Sequence, residues 1–347
     1  MKRKKEFVFA VLMTAAAALL IIHSGAVSAA ALTAIKRCVN VIIPSLFAFM
    51  AISKLIVGSG AVSMISKPFD LLFGKMLRLP KGAAAVFLIS NLAGYPVGAS
   101  ILKEMTVSGQ TDRHSAEIML IYCFSAGPAF IISAVGIGVF GSEKAGVVIL
   151  LSVLSANMLL AAAVNRVYKP KTEQKHRESR ADYSELLINS VTDTGEALFS
   201  MCLIIVFFSM IMAAADVIGR LGLSDNHAAL IRSVFEVTNL AGLSKNSLGL
   251  IPFAAALTGF GGVCVLLQIK AVVKDSYSLR LFLLWAPIKA ILIFCFAKLY
   301  TRLLLDDYLP ASTYEERIIV EIDNLVPSLC LIMMIFLLVF KKRVDFF

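Results

Sequence analysis

The chain has 347 residues, of which 59% are hydrophobic and only 16% are charged, and this is too little charge to cover the surface of a soluble protein. Its formal charge of +10 does not indicate nucleic-acid binding, because the basic residues flank apolar segments and are not interleaved with aromatic ones. With a mean hydropathy of +0.85, the composition predicts an all-α multi-pass protein of the cell membrane.

The first apolar run begins at Phe7 and continues to about Ala34, directly after the basic residues Lys2–Lys5. The small residues Ala26–Ala29 resemble the cleavage site of a secretory signal. Because the run continues beyond that site and more apolar segments follow, we favour a retained helix. Residues 1–37 are therefore predicted to form a peripheral transmembrane helix, with cleavage as the alternative.

Ten apolar stretches are candidates for membrane crossing. They lie at residues 7–24, 39–57, 83–102, 117–139, 145–164, 197–217, 229–247, 248–270, 281–300 and 325–340. If all ten crossed, the loop 165–180, with six basic and two acidic residues, would lie outside the cell, against the positive-inside bias. The conflict disappears if 83–102 and 229–247 are re-entrant hairpins that enter and leave on one side. A kinked spanning helix at each place is the alternative.

This arrangement predicts about eight transmembrane helices, both termini in the cytoplasm, and an inverted repeat of the kind found in secondary transporters. In chain order, the predicted units are the peripheral helix 1–37, a first repeat 38–164, a cytoplasmic linker 165–195, a second inverted repeat 196–300, and an extracytoplasmic acidic loop with the last helix 301–347. Lys36 and Arg37 are the exception to the charge rule, because this topology places them outside.

Each predicted hairpin contains the tetrapeptide Asn-Leu-Ala-Gly, as Asn91–Gly94 and as Asn239–Gly242. Glycine and proline interrupt helices, and the freed amides and carbonyls can bind a solute. The predicted substrate-binding residues at the two tips are Asn91, Gly94, Tyr95, Pro96, Thr238 and Asn239. Turn chemistry without binding is the alternative, since the same residue types dominate turns anywhere.

Two more breaks are predicted inside apolar helices. Ser125, Gly127 and Pro128 should unwind the helix around them and free carbonyl groups of the preceding turn. Gly261 should do the same in the second repeat, with Gln268 two turns further on. Close packing of helices through small residues is the alternative for the glycines.

Glu236 is the most informative charge, because a carboxylate in an apolar segment is costly and suggests a proton site, a cation site or a substrate ligand. Lys289, which follows Pro287 in an apolar segment, is the natural counter-charge or anion ligand. A purely structural ion pair between Glu236 and Lys289 is the alternative. Asp193 lies near a helix start, where the helix dipole explains it, and Lys54 near a span end is expected to snorkel.

The sequence contains no motif of an enzyme or of a metal site. It lacks a nucleophile elbow, a phosphate-binding loop and a zinc-protease helix motif. The six cysteines stand singly in apolar segments. We therefore predict a protein that is not an enzyme and has no cofactor, and the choice between a proton and Na⁺ as coupling ion stays open.

Four motifs of this chain occur together in one family of proteins. They are Asn-Leu-Ala-Gly-Tyr-Pro-Val-Gly-Ala at Asn91–Ala99, Ser-Ala-Gly-Pro-Ala-Phe-Ile at Ser125–Ile131, Phe-Glu-Val-Thr-Asn at Phe235–Asn239, and Phe-Gly-Gly at Phe260–Gly262 with Gln268. Together, over roughly residues 38–300, they resemble the YlbJ-type sporulation integral membrane proteins of endospore-forming bacteria. The nucleoside-recognition "gate" domains of that family are shared with concentrative nucleoside transporters and ferrous-iron transporters.

The resemblance implies two gate-type repeats and a transporter-like protein of the outer forespore membrane, with dipicolinic acid as cargo. Hairpin amides and Lys289 would suit this small aromatic dicarboxylate. Two alternatives stay open: a gate-domain protein that serves spore-envelope assembly without transport, and a nucleoside-type symporter. Related gate-domain transporters also imply self-association into a homo-oligomer, surrounded by membrane lipid.

The chain departs from the family pattern at one place. Cys264 and Leu266 occupy the positions where a serine and a histidine usually precede the glutamine that is present here as Gln268. The loss of this polar pair puts an identical substrate or coupling ion in doubt.

Overall fold

The computed structural model describes residues 2–172, 183–218, 225–243 and 248–305. These residues are helical apart from turns, irregular segments and an isolated bridge between Thr111 and Thr172. The prediction of an all-α chain is confirmed for them. The predicted last transmembrane helix, 325–340, and the acidic loop before it lie outside the described residues.

Ten α-helices form the part of the structure up to residue 172. They are α1 Lys2–Ile22, α2 Ser24–Arg37, α3 Ile43–Gly58, α4 Val62–Phe69, α5 Lys75–Leu77, α6 Ala83–Ala93, α7 Tyr95–Val107, α8 Arg113–Leu120, α9 Gly138–Phe140 and α10 Glu143–Tyr168. Three π-helical stretches lie between them, at Cys38–Ile42, Asp70–Gly74 and Phe130–Ile137.

Five α-helices form the remaining described part of the chain. They are α11 Tyr183–Ile218, α12 Asp225–Phe235, α13 Ile251–Phe260, α14 Gly262–Val273 and α15 Arg280–Leu305. Two 3₁₀-helices lie between α12 and α13, at Val237–Gly242 and Leu248–Leu250. The second copy of the repeated tetrapeptide is therefore 3₁₀-helical, whereas the first copy ends the α-helix α6.

Four spans within the described ranges are long and apolar enough to cross a membrane. They are Glu143–Tyr168, Tyr183–Ala214, Leu248–Val273 and Arg280–Leu305. Each contains or overlaps a segment that the sequence predicts to cross. A fifth span results if the bent pair α1 and α2 is counted as one. The chain is thus a helical membrane protein whose described residues contain four or five candidate spans, whereas the sequence predicts about eight in the whole chain.

The predicted first transmembrane helix is bent. Its two parts, α1 and α2, meet at an angle of 94° beside His23. The backbone of His23 has φ −106° and ψ 29°, outside the helical range. The sequence contains no proline here, but Ser24 and Gly25 directly after His23 form a pair of residues at which helices kink. Beyond the bend α2 packs along α11, and its residues Val27 and Ala34 are buried.

Two other predicted crossing segments do not form one long helix. Segment 39–57 begins with the π-helical turn Cys38–Ile42 and continues as α3, whose apolar part is limited to Leu46–Gly58. Segment 117–139 is divided between α8 and the π-helix Phe130–Ile137, with irregular backbone between them. Proline cannot continue a helical hydrogen-bond ladder, and Pro128 lies at this interruption.

The helices α6 and α7 form a helical hairpin around Gly94, and the chain before and after it comes back to one place. Lys81 precedes α6, and its carbonyl oxygen accepts a hydrogen bond from the hydroxyl of Thr172. Thr111 follows α7, and its hydroxyl donates to the carbonyl oxygen of Lys171 at 3.0 Å. Both ends of the hairpin therefore contact residues 171 and 172, at the start of the basic linker.

Glycines allow the central helices to approach closely, as is common where helices meet in membranes. The helix α15 packs along α10 and α13. A Cβ on Gly259 of α13 would lie 2.0 Å from Cδ1 of Ile293 in α15. A Cβ on Gly136 would lie 2.5 Å from Cα of Gly146 in α10. These two glycines therefore act through close packing of the helices.

Lys54 does not snorkel to the membrane surface as predicted. Its side chain is buried in α3, and its ammonium nitrogen lies 3.6 Å from Oε1 of Glu104 in α7 and 3.3 Å from Oδ2 of Asp193 in α11. The side chain of Asp193, assigned above to the helix dipole, is thus the partner of a buried cation. The three charges therefore link α3 and α11 to α7 of the α6–α7 hairpin.

Candidate functional site

An unwound segment, residues 121–127, separates α8 from the π-helix Phe130–Ile137. It contains the predicted site residues Ser125 and Gly127, and Pro128 follows it. The whole side chain of Ser125 is buried, and its hydroxyl donates to the carbonyl oxygen of Ala126 at 2.9 Å. Because the helical ladder is interrupted here, other main-chain carbonyl oxygens of the segment need partners from elsewhere in the protein.

Two buried asparagines satisfy some of these carbonyl groups. The side-chain amide of Asn91 in α6 donates to the carbonyl oxygens of Phe87 at 2.7 Å and Tyr122 at 3.3 Å. The oxygen of the Asn91 side chain accepts a hydrogen bond of 2.6 Å from the amide of Asn157 in α10. The same amide of Asn157 lies 3.4 Å from the carbonyl oxygen of Phe124. Asn91 and Asn157 therefore join α6, α10 and the unwound segment.

Lys289 is a third side chain that donates hydrogen bonds to carbonyl groups of the unwound segment. Its side chain is 2% exposed, and its ammonium group donates to the carbonyl oxygen of Ile121 at 3.3 Å and to that of Phe124. The ammonium nitrogen also lies 5.0 Å from the centre of the Phe124 ring, within the range of a cation–π interaction. Lys289 thus reaches the unwound segment from α15.

Gly94 provides the sharp turn between α6 and α7. Its φ of 102° lies in a region that favours glycine, and a Cβ there would come within 3.2 Å of the amide nitrogen of Gly127. Pro96 occupies the first turn of α7, where a missing N–H costs nothing. The turn between α6 and α7 therefore lies directly against the unwound segment.

Tyr95 connects this region to the second half of the chain. Its hydroxyl donates a hydrogen bond to the carbonyl oxygen of Thr258 in α13, and its ring centre lies 4.8 Å from that of Phe124. Gly261, with φ 80°, breaks the helix after α13, and a Cβ there would lie 3.0 Å from Phe124 and 3.2 Å from Tyr95. The breaks of the two halves are therefore in contact.

Gly262 continues this contact toward Glu236. A Cβ on Gly262 would lie 3.0 Å from the carbonyl oxygen of Phe235 and 3.3 Å from Cα of Glu236. Gln268 lies further along α14, 8% exposed, with its amide donating to the sulfur of Cys264 at 3.3 Å. Cys264 stands at one of the positions where the chain departs from the family pattern, and it is the hydrogen-bond partner of Gln268.

Glu236 caps the 3₁₀-helix Val237–Gly242. Its side chain is buried, and Oε2 accepts hydrogen bonds from the amide of Thr238 at 3.1 Å and from the hydroxyl of Thr238. The same hydroxyl accepts a hydrogen bond from Nη1 of Arg37, at the end of α2. Thr238 therefore stands between the guanidinium group and the carboxylate, and it leaves the other donors of Arg37 for further partners.

A cavity of about 320 Å³ lies beside these three residues. Its lining comes from α2, from α11 and from the 3₁₀-helix, and we call it the Glu236 cavity. The polar lining residues are Thr33, Arg37, Ser209, Glu236, Thr238 and Asn239. The volume lies at the lower end of the range usual for small-molecule sites. A cation, an anion, hydroxyl groups and an amide thus face one space between otherwise apolar helices.

Asn239 lines this cavity, but its side chain also forms hydrogen bonds to nearby main-chain carbonyl groups. Its amide donates to the carbonyl oxygens of Glu236 at 2.9 Å and Arg232 at 3.4 Å. Asn91 has its partners in α6, α10 and the unwound segment. The two asparagines of the repeated tetrapeptide therefore share no hydrogen-bond partner in the described structure.

The predicted site residues fall into two neighbouring groups. The group at the unwound segment consists of Asn91, Gly94, Tyr95, Pro96, Ser125, Gly127, Pro128, Gly261 and Lys289. The group at the Glu236 cavity consists of Glu236, Thr238 and Asn239. Gln268 does not line this cavity, and its hydrogen-bond partner is Cys264. The described residues show no ion pair between Glu236 and Lys289, whose hydrogen-bond partners are Thr238 and main-chain carbonyl groups respectively.

Sequence reasoning missed Arg37 and Asn157. Arg37 could have been found, because it violates the positive-inside rule in the predicted topology, and a misplaced arginine needs a local partner. Asn157 gives no such signal, because a single asparagine in a long apolar helix has many explanations. Its importance depends on α10 lying against the unwound segment.

The chain is similar to the sporulation integral membrane protein YlbJ of Bacillus subtilis (strain 168), with 26% identity over 163 residues. The alignment covers 47% of this chain and 40% of that relative, which is less than half the length of each. The resemblance to YlbJ-type proteins inferred from the motifs is thereby confirmed. No protein-family model matches the chain, and no solved structure matches it.

Proposed function

We propose that this protein is a secondary transporter of a small anionic solute in the membrane of a sporulating bacterium. The observation that carries the proposal is the Glu236 cavity, where Arg37, Thr238 and Glu236 form a hydrogen-bonded chain between helices of a membrane protein. Charged groups inside a membrane are costly and mark the paths of solutes and ions. The similarity to YlbJ supports the link to sporulation.

Arg37 is the proposed anion ligand. A guanidinium group has five donors in a planar fork that suits a carboxylate. Thr238 takes one of them, and the side chain of Arg37 lines the cavity. Glu236 holds Thr238 in place through the hydroxyl and the amide. The neighbouring hydroxyl groups of Thr33 and Ser209 offer further donors to an oxygen-rich solute.

Dipicolinate is the proposed solute, and the outer forespore membrane the proposed location. Both come from the family resemblance. The cavity is compatible with a small aromatic dicarboxylate because it combines a guanidinium group with apolar wall residues such as Ala30, Ala34 and Met212. A carboxylate would approach Arg37, and the ring would lie against the apolar wall.

The proposed topology places α6 and α7 in a re-entrant hairpin on the cytoplasmic side. Supporting this, the chain before α6 and the chain after α7 both contact residues 171 and 172 of the basic linker. The inverted repeat pairs this hairpin with α12 and the 3₁₀-helix Val237–Gly242, entering from the other side. The contact between Tyr95 and Gly261 supports a shared centre for the two halves.

Uptake into proteoliposomes tests the function. The purified full-length protein is reconstituted, and uptake of labelled dipicolinate is compared with uptake of a labelled nucleoside. We expect saturable dipicolinate uptake, and we expect Arg37→Gln to weaken apparent affinity by about tenfold or more, because a hydrogen bond to a charged group contributes about 1.5–3 kcal/mol. Thr238→Val should have a smaller effect of the same kind.

Lys36→Gln is the matched control. Lys36 precedes Arg37 on the same helix, is exposed, and does not line the cavity. Its loss should leave uptake unchanged. Equal uptake by wild type and Arg37→Gln would contradict the assigned site. Failure of the folded wild-type protein to move either solute would contradict transport and favour a role in spore-envelope assembly, whereas uptake of the nucleoside alone would indicate a nucleoside-type symporter.

A further inference from the structure

The ammonium group of Lys289 is buried among main-chain carbonyl groups. Its side chain is 2% exposed. No carboxylate of the described residues forms an ion pair with it. Burial of an isolated ammonium group is very unfavourable unless other groups replace its water. Here the replacement consists of the carbonyl oxygens of Ile121 and Phe124 and the ring face of Phe124.

The same set of groups would suit a bare alkali cation. Carbonyl oxygens from an unwound helix are the usual ligands of Na⁺ in transporters, and rings of carbonyl oxygens replace the water of K⁺ in channels. The unwound segment offers such oxygens because the interruption near Gly127 and Pro128 leaves them outside the helical ladder. Ile121 and Phe124 are held close enough to share one ammonium group.

Asn157 gives independent evidence that this region, within the described part of the chain, contains an oxygen acceptor with neither a hydrogen-bond donor nor a cation beside it. Its amide nitrogen lies 3.4 Å from the carbonyl oxygen of Phe124, which also accepts from Lys289. The side-chain oxygen of Asn157 is buried and has no hydrogen-bond partner in the described residues. A buried acceptor without a partner costs free energy. The unwound segment thus has more oxygen acceptors around it than Lys289 alone satisfies.

We propose that the unwound segment 121–127 is a cation site whose occupant is the covalently attached ammonium group of Lys289, so that free Na⁺ and K⁺ are excluded from it. Removal of the side chain would convert the site into one that binds a free alkali cation. This inference concerns only α15 and the unwound segment, and it holds whether or not the Glu236 cavity binds a transported solute.

The test measures thermal unfolding of the purified full-length protein in detergent. NaCl, KCl and choline chloride are compared at equal ionic strength, and binding of ²²Na⁺ is measured in parallel. The wild type should show the same Tm in all three salts and no saturable ²²Na⁺ binding. Lys289→Ala leaves space beside the carbonyl oxygens, and we expect NaCl or KCl to raise its Tm saturably by about 2 °C or more relative to choline chloride.

Lys289→Met is the matched control, because methionine fills much of the same space without a charge and should abolish any gain from alkali cations. Lys298→Ala removes an exposed lysine from the same helix and should behave as wild type. Saturable ²²Na⁺ binding that is as strong in the wild type as in Lys289→Ala would overturn the proposal, and Lys289→Ser, which also leaves space, replaces Lys289→Ala if that variant does not fold. A folded Lys289→Ala protein without a cation-specific gain would overturn it as well. Neither result depends on transport, so each is distinct from a failure of dipicolinate uptake.

Discussion

The hydroxyl of Tyr95 donates a hydrogen bond to the main-chain carbonyl oxygen of Thr258, a residue 163 positions further along the chain. Thr258 lies in the last turn of α13, where a carbonyl group has no partner within the helix. Gly261 follows with φ 80° and ends the helix there. A side chain from the α6–α7 hairpin therefore satisfies the helix end that Gly261 leaves open.

Tyr95→Phe should lower the stability of the protein. It removes the donor and leaves the buried carbonyl oxygen of Thr258 unpaired, which costs about 1–3 kcal/mol. Thermal unfolding in detergent, followed by the fluorescence of the single tryptophan, Trp285, measures the loss. Tyr183→Phe is the control, because Tyr183 is 71% exposed. If the two variants unfold at the same temperature, the hydrogen bond contributes nothing.

Gly98→Ala should disrupt the packing of α7 on the unwound segment. A Cβ on Gly98 would lie 2.1 Å from the carbonyl oxygen of Cys123 and 2.7 Å from Cβ of Ser90. Because a main-chain atom must move, we expect a loss of about 2–3 kcal/mol of unfolding free energy. Gly195→Ala in α11 is the matched control, since no atom lies within 4 Å of its added Cβ. That control should be neutral or slightly stabilising, because alanine favours a helix over glycine.

Lys54→Met should lower the unfolding free energy more than the replacement of either acid, because Lys54 holds α11 to α3 and α7. It leaves Glu104 and Asp193 without their shared cation. The side chains of these acids are 27% and 60% exposed, so water screens part of the loss, and we expect about 1–2 kcal/mol. Asp193→Asn alone should cost less than about 1 kcal/mol. Equal Tm values for wild type and Lys54→Met would show that the triad is energetically neutral.

The carboxyl group of Asp112, outside the proposed membrane spans, should make the stability of the protein depend on pH. Burial alone would raise the pKa of its carboxyl group, but hydrogen bonds from the hydroxyl and the amide of Ser115 outweigh this and hold the pKa below its ordinary value of 3.8. A depressed folded-state pKa contributes stability that is fully present above the ordinary pKa. That contribution is lost as the pH falls through the folded-state value.

The matching variant is Asp112→Asn, which keeps a capping side chain without the charge. The Tm difference between wild type and this variant should shrink between about pH 5 and about pH 3, because only the wild type loses a contribution there. The exposed Asp275 gives the control variant Asp275→Asn. A Tm difference that stays constant across this range would show that the Asp112 carboxylate is not the titrating group.

The proposed hairpin topology predicts where a cysteine label reacts. Val107 at the end of α7 is 67% exposed, and a cysteine placed there in a variant without the native cysteines should face the cytoplasm. A membrane-impermeant maleimide should therefore label Val107→Cys only after the cells are permeabilised. Ser312→Cys, in the predicted outer loop, should react without permeabilisation when non-sporulating cells carry the protein in their plasma membrane. Labelling of Val107→Cys in intact cells would rule out the re-entrant hairpin.

Local chemistry made part of this structure predictable from sequence. Pro128 cannot continue a helix and Gly94 and Gly261 tolerate left-handed backbone, so the breaks follow from these residue types alone. Long apolar runs likewise indicate the four spans. The bend beside His23 was not predicted, although Ser24 and Gly25 form a pair of residues at which helices kink. These residue types permit a bend without fixing its angle, and both α1 and α2 contact α11 in the folded protein.

The interaction partners of the charged side chains were less predictable from the sequence than the positions where helices break. Glu236 and Lys289 look complementary in sequence, but their hydrogen-bond partners are Thr238 for one and main-chain carbonyl groups for the other. The partners of Lys54 come from helices that are distant in the sequence. Such pairings depend on how the helices pack, and a single sequence does not contain that information.

The position of Arg37 at the end of α2, the helix that follows the bend at His23, has a practical consequence for anyone who produces this protein. The first 37 residues resemble an export leader, and a shortened gene that begins after them would be a natural choice for expression. Such a protein would lack α2 and Arg37, and with them one wall of the Glu236 cavity. Activity measurements on the shortened form would therefore be made on a protein that lacks part of the proposed binding site.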